Sequence, residues 1–415
     1  MTPQNKLRVL VAMSGGVDSS VVAALLGASK KYEVMGAYML NYDNNQPGSE
    51  SCWLPDYRDA LRAAAHLGIQ LLKFDFTKEY KKMVLDYMFK EYQAGRTPNP
   101  DVLCNTFIKF GAWLEKAQEL GFDYLATGHY ARIGKSPLGR GRPARNALAS
   151  EAGGGGLALL TSKDTNKDQT YFLHQLNQNQ LAHTLFPIGG YTKPEVRKLA
   201  LKFGLPTAKK EESMGICFVG EVPMKEFLEK KIKHKPGKII LSTGEVVGTH
   251  EGLSFYTIGQ RHGLSFGGRT AVILSETKDP LNSKARDSSA SPQNDSKPLY
   301  VVDKHPKTNE LVVGYENDPL LYKKEVALGD IHWVGQIPKL PLKCLVRLRH
   351  RQSLQKAIVS NSPLGRGRPA RNALASEAGG GGLAIKFATP ERAVTPGQFA
   401  VFYLKGECLG GGVII

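Results

Sequence analysis

Residues 8–22 read RVLVAMSGGVDSSVV, and this stretch decides how the rest of the chain is organised. The apolar run Val9, Leu10, Val11, Ala12, Met13 is long enough for a strand buried on both faces. A second apolar run, residues 21–26, has the character of a helix. Between them lie Ser14, Gly15, Gly16, Val17, Asp18, Ser19 and Ser20. Two glycines at a strand-to-helix turn leave no Cβ where a polyanion must approach the backbone. The first amides of the following helix point outward, and Ser14, Ser19 and Ser20 add hydroxyls. The spacing predicts a phosphate cradle. It lacks the Gly-Lys-Ser/Thr ending of kinase-type loops and the spacing of a dinucleotide fingerprint. A plain Gly-Ser turn is the alternative, but it gives no reason for the strand before, the helix after or Asp18 within.

SGGVDSS resembles the PP-loop of the ATP pyrophosphatases, which cleave ATP between its α and β phosphates and adenylate a substrate. That resemblance implies ATP as a substrate, with magnesium accompanying it, and no resident metal. Composition is compatible with such an enzyme. The chain has 415 residues, enough for two or three domains. No apolar run reaches the length of a membrane span, and MTPQNKLR is not a signal peptide, so the expected location is the cytoplasm, away from membranes. Five cysteines, Cys52, Cys104, Cys217, Cys344 and Cys408, are too few and too scattered for a disulfide framework, and none forms CxxC. The net charge of +17 suggests a polyanionic partner, although excess lysine also simply solubilises.

One segment occurs twice. SPLGRGRPARNALASEAGGGGLA fills residues 136–158 and, letter for letter, residues 362–384. Repeats that build solenoids are diverged and run in series. Two identical, distant copies instead indicate recent in-frame duplication. Each copy carries three arginines and one glutamate, so the pair supplies +4 of the net charge and +13 remains without it. Glycine and proline crowd the ends, which predicts exposed loops; a pair of basic RNA-binding arms is the sharper alternative. Residues 270–297, rich in Ser, Asp, Asn and Lys, read as a third insertion.

With these set aside, the first half alternates strands (32–40, 69–74, 123–127) with helices (55–67, 77–93, 106–120), and Gly68 and Gly121 stand where helices end. Such alternation predicts an α/β fold, a parallel sheet with helices on both faces and its ligand beyond the carboxyl ends of the strands. Ser14, Met39 and Gly128 all fall there. Beyond residue 220 the pattern turns to short strands bounded by Pro, Gly, Asp and Asn. The expected architecture is a parallel-sheet PP-loop domain of the adenine nucleotide α-hydrolase-like type over residues 1–220. A small β-rich linker domain over 221–298 and a C-terminal β-barrel over 299–415 follow.

Two cysteine segments concentrate chemistry. In GRTPNPDVLCN, residues 95–105, two prolines fix an extended loop, and Asp101 and Cys104 stand three apart at a helix entrance, where the dipole favours a thiolate. In MGICFVG, residues 214–220, Cys217 is flanked by apolar residues and glycines. Either alone is compatible with a buried structural thiol. Asp101 suits a general acid or base, or a helix cap.

SGGVDSS, GRTPNPDVLCN, ATGHYAR, KDQTYFL, GICFVG, FYTIGQRHGL and CLGGGVI stand in this order and span nearly the whole chain outside the insertions. In this the sequence is similar to the tRNA-specific 2-thiouridylases. The resemblance implies ATP-dependent replacement of the O2 of the tRNA wobble uridine by sulfur. Partners would be tRNA and a persulfide donor, either a sulfur-relay protein or a cysteine desulfurase. By the same resemblance Ala12, Met13, Ser14, Gly15, Gly16, Val17, Asp18, Ser19, Met39 and Gly128 would hold ATP, and Asn99, Pro100 and Asp101 the target base. Cys217 would carry the persulfide with Cys104 as its catalytic partner. His129, Lys167, Asp168, Gln169, Arg349, His350 and Gln398 would contact tRNA. Two positions depart from the family pattern: Met214 replaces a usual glutamine, and His350 a usual tyrosine. Another PP-loop ligase or amidotransferase would need no paired cysteines, and a silent tRNA-binding protein would need neither Asp18 nor Cys217.

Overall fold

β1 (Leu7–Ala12) forms where the apolar run lies. Val9, Leu10 and Val11 are each 0% exposed; Leu10 joins one apolar cluster while Val9 and Val11 join another. Successive strand residues point to opposite faces, so three consecutive apolar residues require cover on both sides, each burial contributing roughly 1.5–3 kcal/mol. α1 (Val17–Gly27), α2 (Leu54–Leu67) and the helix Lys193–Lys202 cover one face. Helical segments between Thr77 and Glu119 cover the other through Tyr80, Val84, Met88, Ile108 and Trp113. These elements belong to a computed structural model that describes residues 6–43, 51–138, 156–211, 224–266, 269–270, 297–362 and 382–415. Cys217 with its flanking segment, most of both repeat copies and residues 271–296 lie outside the described residues.

The sheet is completed by β2 (Tyr32–Leu40), β3 (Leu71–Asp75), β4 (Tyr124–Ala126) and, after a hairpin of β5 (Ala131–Lys135) and β6 (Leu157–Thr161), by β7 (Thr184–Leu185). Its order is β3-β2-β1-β4-β7 and every pairing is parallel. The chain steps outward from β1 to β3 and then returns to the other side of β1 as β4. The carboxyl ends of β1 and β4 therefore flank the point where strand order reverses, the crevice that binds ligands in such sheets.

Two helices differ from expectation. Residues 77–93 are helical, but Lys81–Leu85 is a π-helical turn within them. The helix expected from residue 106 already begins at Pro100, and Cys104–Trp113 is π-helical, with Gly111 leaving helical geometry at φ −99°, ψ −105°. A local change from i→i+4 to i→i+5 bonding barely alters the apolar spacing, so periodicity does not reveal it.

The second sheet comprises β8 (Gly237–Leu241), β9 (Val246–His250), β10 (Ser265–Phe266), β11 (Arg269–Thr270), β12 (Tyr300–His305) and β13 (Glu310–Gly314). Its order is β11-β10-β9-β8-β13-β12. The runs at residues 300–305 and 310–314, expected in the barrel, thus belong to this sheet, since β13 pairs in parallel with β8 and antiparallel with β12. Short alternating runs reveal strands but not which sheet they join.

The barrel is built from β14 (Tyr322–Trp333), β15 (Leu342–Arg347), β16 (Gln355–Asn361), β17 (Leu383–Arg392), β18 (Phe399–Leu404) and β19 (Glu407–Ile414). The order β14-β17-β16-β15-β18-β19 closes on itself through a β14–β19 pairing. β6 adds to β19 and brings β5 with it, so a hairpin of the first unit extends the barrel sheet. Among the described residues no helix is long and apolar enough to cross a membrane.

Both repeat copies interrupt hairpins of this one sheet, β5–β6 and β16–β17. Their final residues are not loop, as expected, but strand. Leu157 and Ala158 pair with Lys135 and Gly134, while Leu383 and Ala384 pair with Asn361 and Ser360. Leu157, Ala158 and Leu383 are buried, and Ser136 Oγ donates to Glu407 Oε2 at 2.6 Å. The flanks of the second copy are adjacent, since Ser362 N donates to Gly382 O at 2.9 Å. Excising residues 139–155 and 363–381 together is therefore expected to leave thermal unfolding close to the parent, because loop-closure cost varies slowly with length. Excising both complete copies should lower the melting temperature by several degrees, roughly what losing a kcal/mol or more of strand pairing and burial implies. A weaker tRNA affinity with shallower salt dependence after the smaller excision would instead identify the copies as RNA-binding arms.

Candidate active site

The turn after β1 is built to admit a polyanion. Gly15 has φ +75°, and a Cβ there would stand 2.1 Å from Asp56 O at the start of α2. Gly16 is the N-cap of α1 and no side chain caps that helix, so its first amides are left to a ligand. Gly128, after β4, backs the same turn: a Cβ there would lie 3.1 Å from Ser19 N and 3.2 Å from Asp18 Cβ. The three serines divide their work. Ser14 is exposed, and its N–H donates to Ser19 Oγ at 3.2 Å; Ser20, fully buried, donates to Gly16 O at 2.8 Å and fixes the loop instead of facing a ligand. Val17 and Met13 are buried beneath the turn, so only their backbone is offered to it, while Ala12 ends the strand.

Asp18 is held from two sides. Lys193 Nζ donates to Oδ1 at 2.7 Å and to Oδ2 at 2.9 Å, and Tyr130 Oη donates to Oδ1 at 3.0 Å. A carboxylate, an ammonium and capless helix amides around glycines fit the phosphates of ATP and a magnesium ion carried with them. Met39, at the end of β2, is 1% exposed and packs in the same cluster as Cys104.

The second part of the site begins at Gly95, whose carbonyl accepts from Lys304 Nζ at 3.0 Å. Arg96 forks onto the buried carboxylate of Glu91. Asn99 caps the helix, its Oδ1 accepting from Val102 N at 3.2 Å, with Pro100 in the first turn. The cap is therefore Asn99 and not Asp101. Cys104 follows that first turn and does not sit at the helix entrance, and it is 1% exposed. Burial pushes its thiol up to about 12; Lys109 opposes the rise, Asp101 adds to it, and a hydrogen bond from Asn41 opposes it. The thiolate expected from the helix dipole is thus not the resting form, because desolvation outweighs the dipole. Asn41 Nδ2 donates to Cys104 Sγ at 3.7 Å, and Asn41 also lines a cavity of about 280 Å³ with Tyr42, Lys81, Phe89, Phe227 and Lys231.

The residues assigned to tRNA by resemblance separate into distinct settings. Gln398, on the barrel, donates through Nε2 to Thr97 O at 2.9 Å and Pro98 O at 3.1 Å, and accepts from Asn99 Nδ2 at 3.3 Å. It ties the barrel to the loop that leads into Cys104. Asp168 is buried, accepting from Thr170 Oγ1 at 2.7 Å and from Arg347 at 3.3 Å. Desolvation raises its pKa against those hydrogen bonds and the Arg347 charge. Gln169 Oε1 accepts from Tyr130 N at 2.9 Å, and Lys167 stands partly exposed beside it. Arg349 donates to Ile258 O, Ala393 O and Thr395 Oγ1, and the His350 ring packs 4.4 Å from that of Phe172. His129 is buried between Phe110 and Phe186, and burial, with the Lys109 charge, holds its imidazole well below the ordinary value. Asp168, Arg349 and Gln398 thus fasten the units to one another, and His129 is covered by side chains. Motif matching places residues in order along the chain but does not distinguish a surface from a joint.

Sequence reasoning missed Lys193, Tyr130, Asn41 and Lys109. Lys193 opens a helix 175 positions after Asp18, and no local pattern joins them. Tyr130 and Lys109 lie inside or beside quoted motifs, and only the fold shows where they point.

Residues 7–221 match the family described as tRNA methyl transferase HUP domain. Residues 225–315 match the tRNA methyl transferase PRC-barrel domain, and residues 323–414 the aminomethyltransferase beta-barrel domain. The tRNA-specific 2-thiouridylase MnmA of Lysinibacillus sphaericus (strain C3-41) is 41% identical over 414 residues, covering 99% of this chain and 94% of the relative. The protein of that name from Legionella pneumophila (strain Paris) is 41% identical over 411 residues, covering 99% and 98%. That of Streptococcus sanguinis (strain SK36) is 39% identical over 417 residues, covering 100% and 96%. Such identity along the full length joins the phosphate cradle, the cysteine segment and the barrel in one lineage, and the chain belongs to the tRNA-specific 2-thiouridylases, a family of tRNA sulfurtransferases.

Proposed function

We propose that the chain thiolates the wobble uridine of tRNA in two chemical stages at one site, with ATP as co-substrate. In the first, uridine O2 attacks the α-phosphorus of ATP and pyrophosphate leaves, which turns a poor leaving group into a good one. Gly15, Gly16 and the first amides of α1 would cradle the phosphates, with Ser14 and Ser19 beside them and Gly128 leaving room for the turn. Asp18 is the group that would hold a magnesium ion brought with the nucleotide, whose chemistry is charge neutralisation at the departing pyrophosphate, and Lys193 would face the phosphate oxygens. Asn99, Pro100 and Asp101 would position the base, with Asp101 within reach as proton acceptor or donor.

In the second stage the terminal sulfur of a Cys217 persulfide attacks C2 of the base and AMP leaves with the former O2. The Cys104 thiolate then attacks Cys217 Sγ. The sulfur–sulfur bond to the base breaks, its electron pair stays on the 2-thiouridine sulfur, and a Cys104–Cys217 disulfide forms. A dithiol reductant restores both thiols, and a persulfide-donating relay protein or cysteine desulfurase reloads Cys217. Lys167, Gln169 and the cationic surplus of the chain would engage the RNA backbone.

The observation that carries this reading is the convergence, at the carboxyl ends of one sheet, of an uncapped glycine turn and a buried cysteine helix. The test is mass spectrometry of tRNA nucleosides after incubation of the full chain with tRNA, ATP, magnesium and a persulfide source. The expected result is 2-thiouridine that requires ATP, with pyrophosphate release that requires tRNA. Pyrophosphate release indifferent to tRNA would favour another PP-loop ligase.

A further inference from the structure

Thr97 and Pro98 are buried, in the loop that leads to Asn99, Pro100 and Asp101. Pro98 and Pro100 have no backbone N–H, so this loop cannot form a regular ladder with a neighbouring strand. Its carbonyls still need donors, because an orphaned buried carbonyl costs about as much as a lost hydrogen bond. The barrel supplies them. Gln398 Nε2 donates to Thr97 O at 2.9 Å and to Pro98 O at 3.1 Å, which occupies both of its hydrogens. Pro396 O accepts from Thr97 N at 2.9 Å. Gly397, between them, lies so close that a Cβ would stand 3.0 Å from both Thr97 N and Thr97 O. The unit of the second sheet grips the same loop. Lys304 Nζ donates to Gly95 O at 3.0 Å, and the Thr97 and Thr257 hydroxyls are 3.2 Å apart. The loop is thus a joint where all three units meet.

Gln398 reaches beyond the loop. With two carbonyls facing Nε2, its amide can lie only one way round, and Oε1 accepts from Asn99 Nδ2 at 3.3 Å. That contact orients the Asn99 amide, whose Oδ1 accepts from Val102 N at 3.2 Å and caps the helix that opens at Pro100. Asp101 stands in the first turn of that helix and Cys104 follows it. Gln398 is itself fixed: its N–H donates to Thr395 O at 3.2 Å, and its carbonyl accepts from Ile414 N at 2.8 Å. One barrel residue, held by the last strand, therefore sets both the loop and the cap.

We propose that Gln398 is a positioning residue for the reaction. It acts through Asn99, fixing the helix start that presents Asp101 to the target base, and not by touching RNA. Asn99 serves the base by the same route, as the cap. This rests on the reading of Asn99, Pro100 and Asp101 as the place of the target base.

The test replaces the amide and keeps its length. In the full chain without tRNA or ATP, hydrogen exchange of the peptide spanning residues 95–105 is followed by mass spectrometry. Gln398→Met should quicken it roughly tenfold, since three hydrogen bonds are lost together. At saturating tRNA and ATP, single-turnover pyrophosphate release should fall by a similar factor, while tRNA affinity by filter binding and KM for ATP stay within about twofold of the parent. Asn99→Asp keeps the capping oxygen and removes the donor to Gln398. It should slow release in the parent background and add almost nothing in the Gln398→Met background, because the two act in series. An equal cost in both backgrounds would mean that Asn99 meets the base independently, and overturns the proposal. Unchanged exchange in a folded Gln398→Met also overturns it, and weaker tRNA binding with unchanged exchange would make Gln398 an RNA contact. If Gln398→Met does not fold by circular dichroism, Asn99→Asp serves alone: its exchange should quicken, and an unchanged rate overturns the proposal. Exchange is read without substrates, so a parent that releases no pyrophosphate sinks the two-stage reading while the exchange result still judges Gln398.

Discussion

Gly15→Ala is expected to reduce tRNA-dependent pyrophosphate release by roughly a hundredfold or more, the scale of losing preorganised charge stabilisation, while tRNA binding stays within about twofold of the parent. Two effects combine. At φ +75° a Cβ costs about 1–2 kcal/mol by itself, and here it would also meet Asp56 O at 2.1 Å. The turn must shift away from α2, and the amides of α1 then no longer converge. Gly16 differs, since its Cβ would touch only Ser14 Oγ at 3.4 Å. Gly16→Ala should therefore fold normally and lose less activity, and only a larger side chain such as valine should fill the cradle. The check is pyrophosphate release alongside a filter-binding measurement of tRNA affinity. Equal release by Gly15→Ala and the parent would remove the turn from the mechanism.

The two cysteines give the second large effect. Cys104→Ser is expected to accept a sulfur from a persulfide donor yet produce 2-thiouridine on the order of a thousandfold more slowly or not at all, since the attacking thiol is lost. Cys217→Ser should adenylate tRNA but hold no persulfide. Intact-mass measurement after treatment with the donor separates them: a sulfur adduct on Cys104→Ser and none on Cys217→Ser. The reverse pattern would exchange their roles, and full thiolation by both would end the scheme. Disulfide formation requires Cα atoms within about 7 Å. Cys104 is held inside a helix and is 1% exposed.

Much of this was legible in the sequence. The run Val9–Leu10–Val11 announced a strand covered on both faces because a strand with one face in water alternates apolar and polar residues, and Gly15, Gly16 and Asp18 named the cradle because glycine spacing at a strand end has few other uses. What was hidden depends on distance or on small changes of helical pitch. Lys193 reaches Asp18 across the fold, and Asn41 reaches Cys104 from just beyond β2. The π-helical stretch Cys104–Trp113 leaves no trace in an apolar pattern. Burial was the other blind spot: Cys104 was placed at a dipole-favoured entrance, and the packing around it set its protonation instead. Shared motifs were equally silent on whether Asp168 and Gln398 face RNA or another unit.

The hairpin that β5 and β6 contribute to the barrel has a consequence for how the polypeptide is made. Leu159 of β6 pairs with Cys408 of β19, the last strand. During synthesis the first unit emerges well before β19, so the edge of β6 that pairs with it is open until that strand has been made. The same late strand closes the barrel against β14. An unpaired strand edge is a template for aggregation and a target for proteases. A chain that stops before β19 therefore has an open edge on its first unit together with an open barrel. Synthesis of β19 seals both at once.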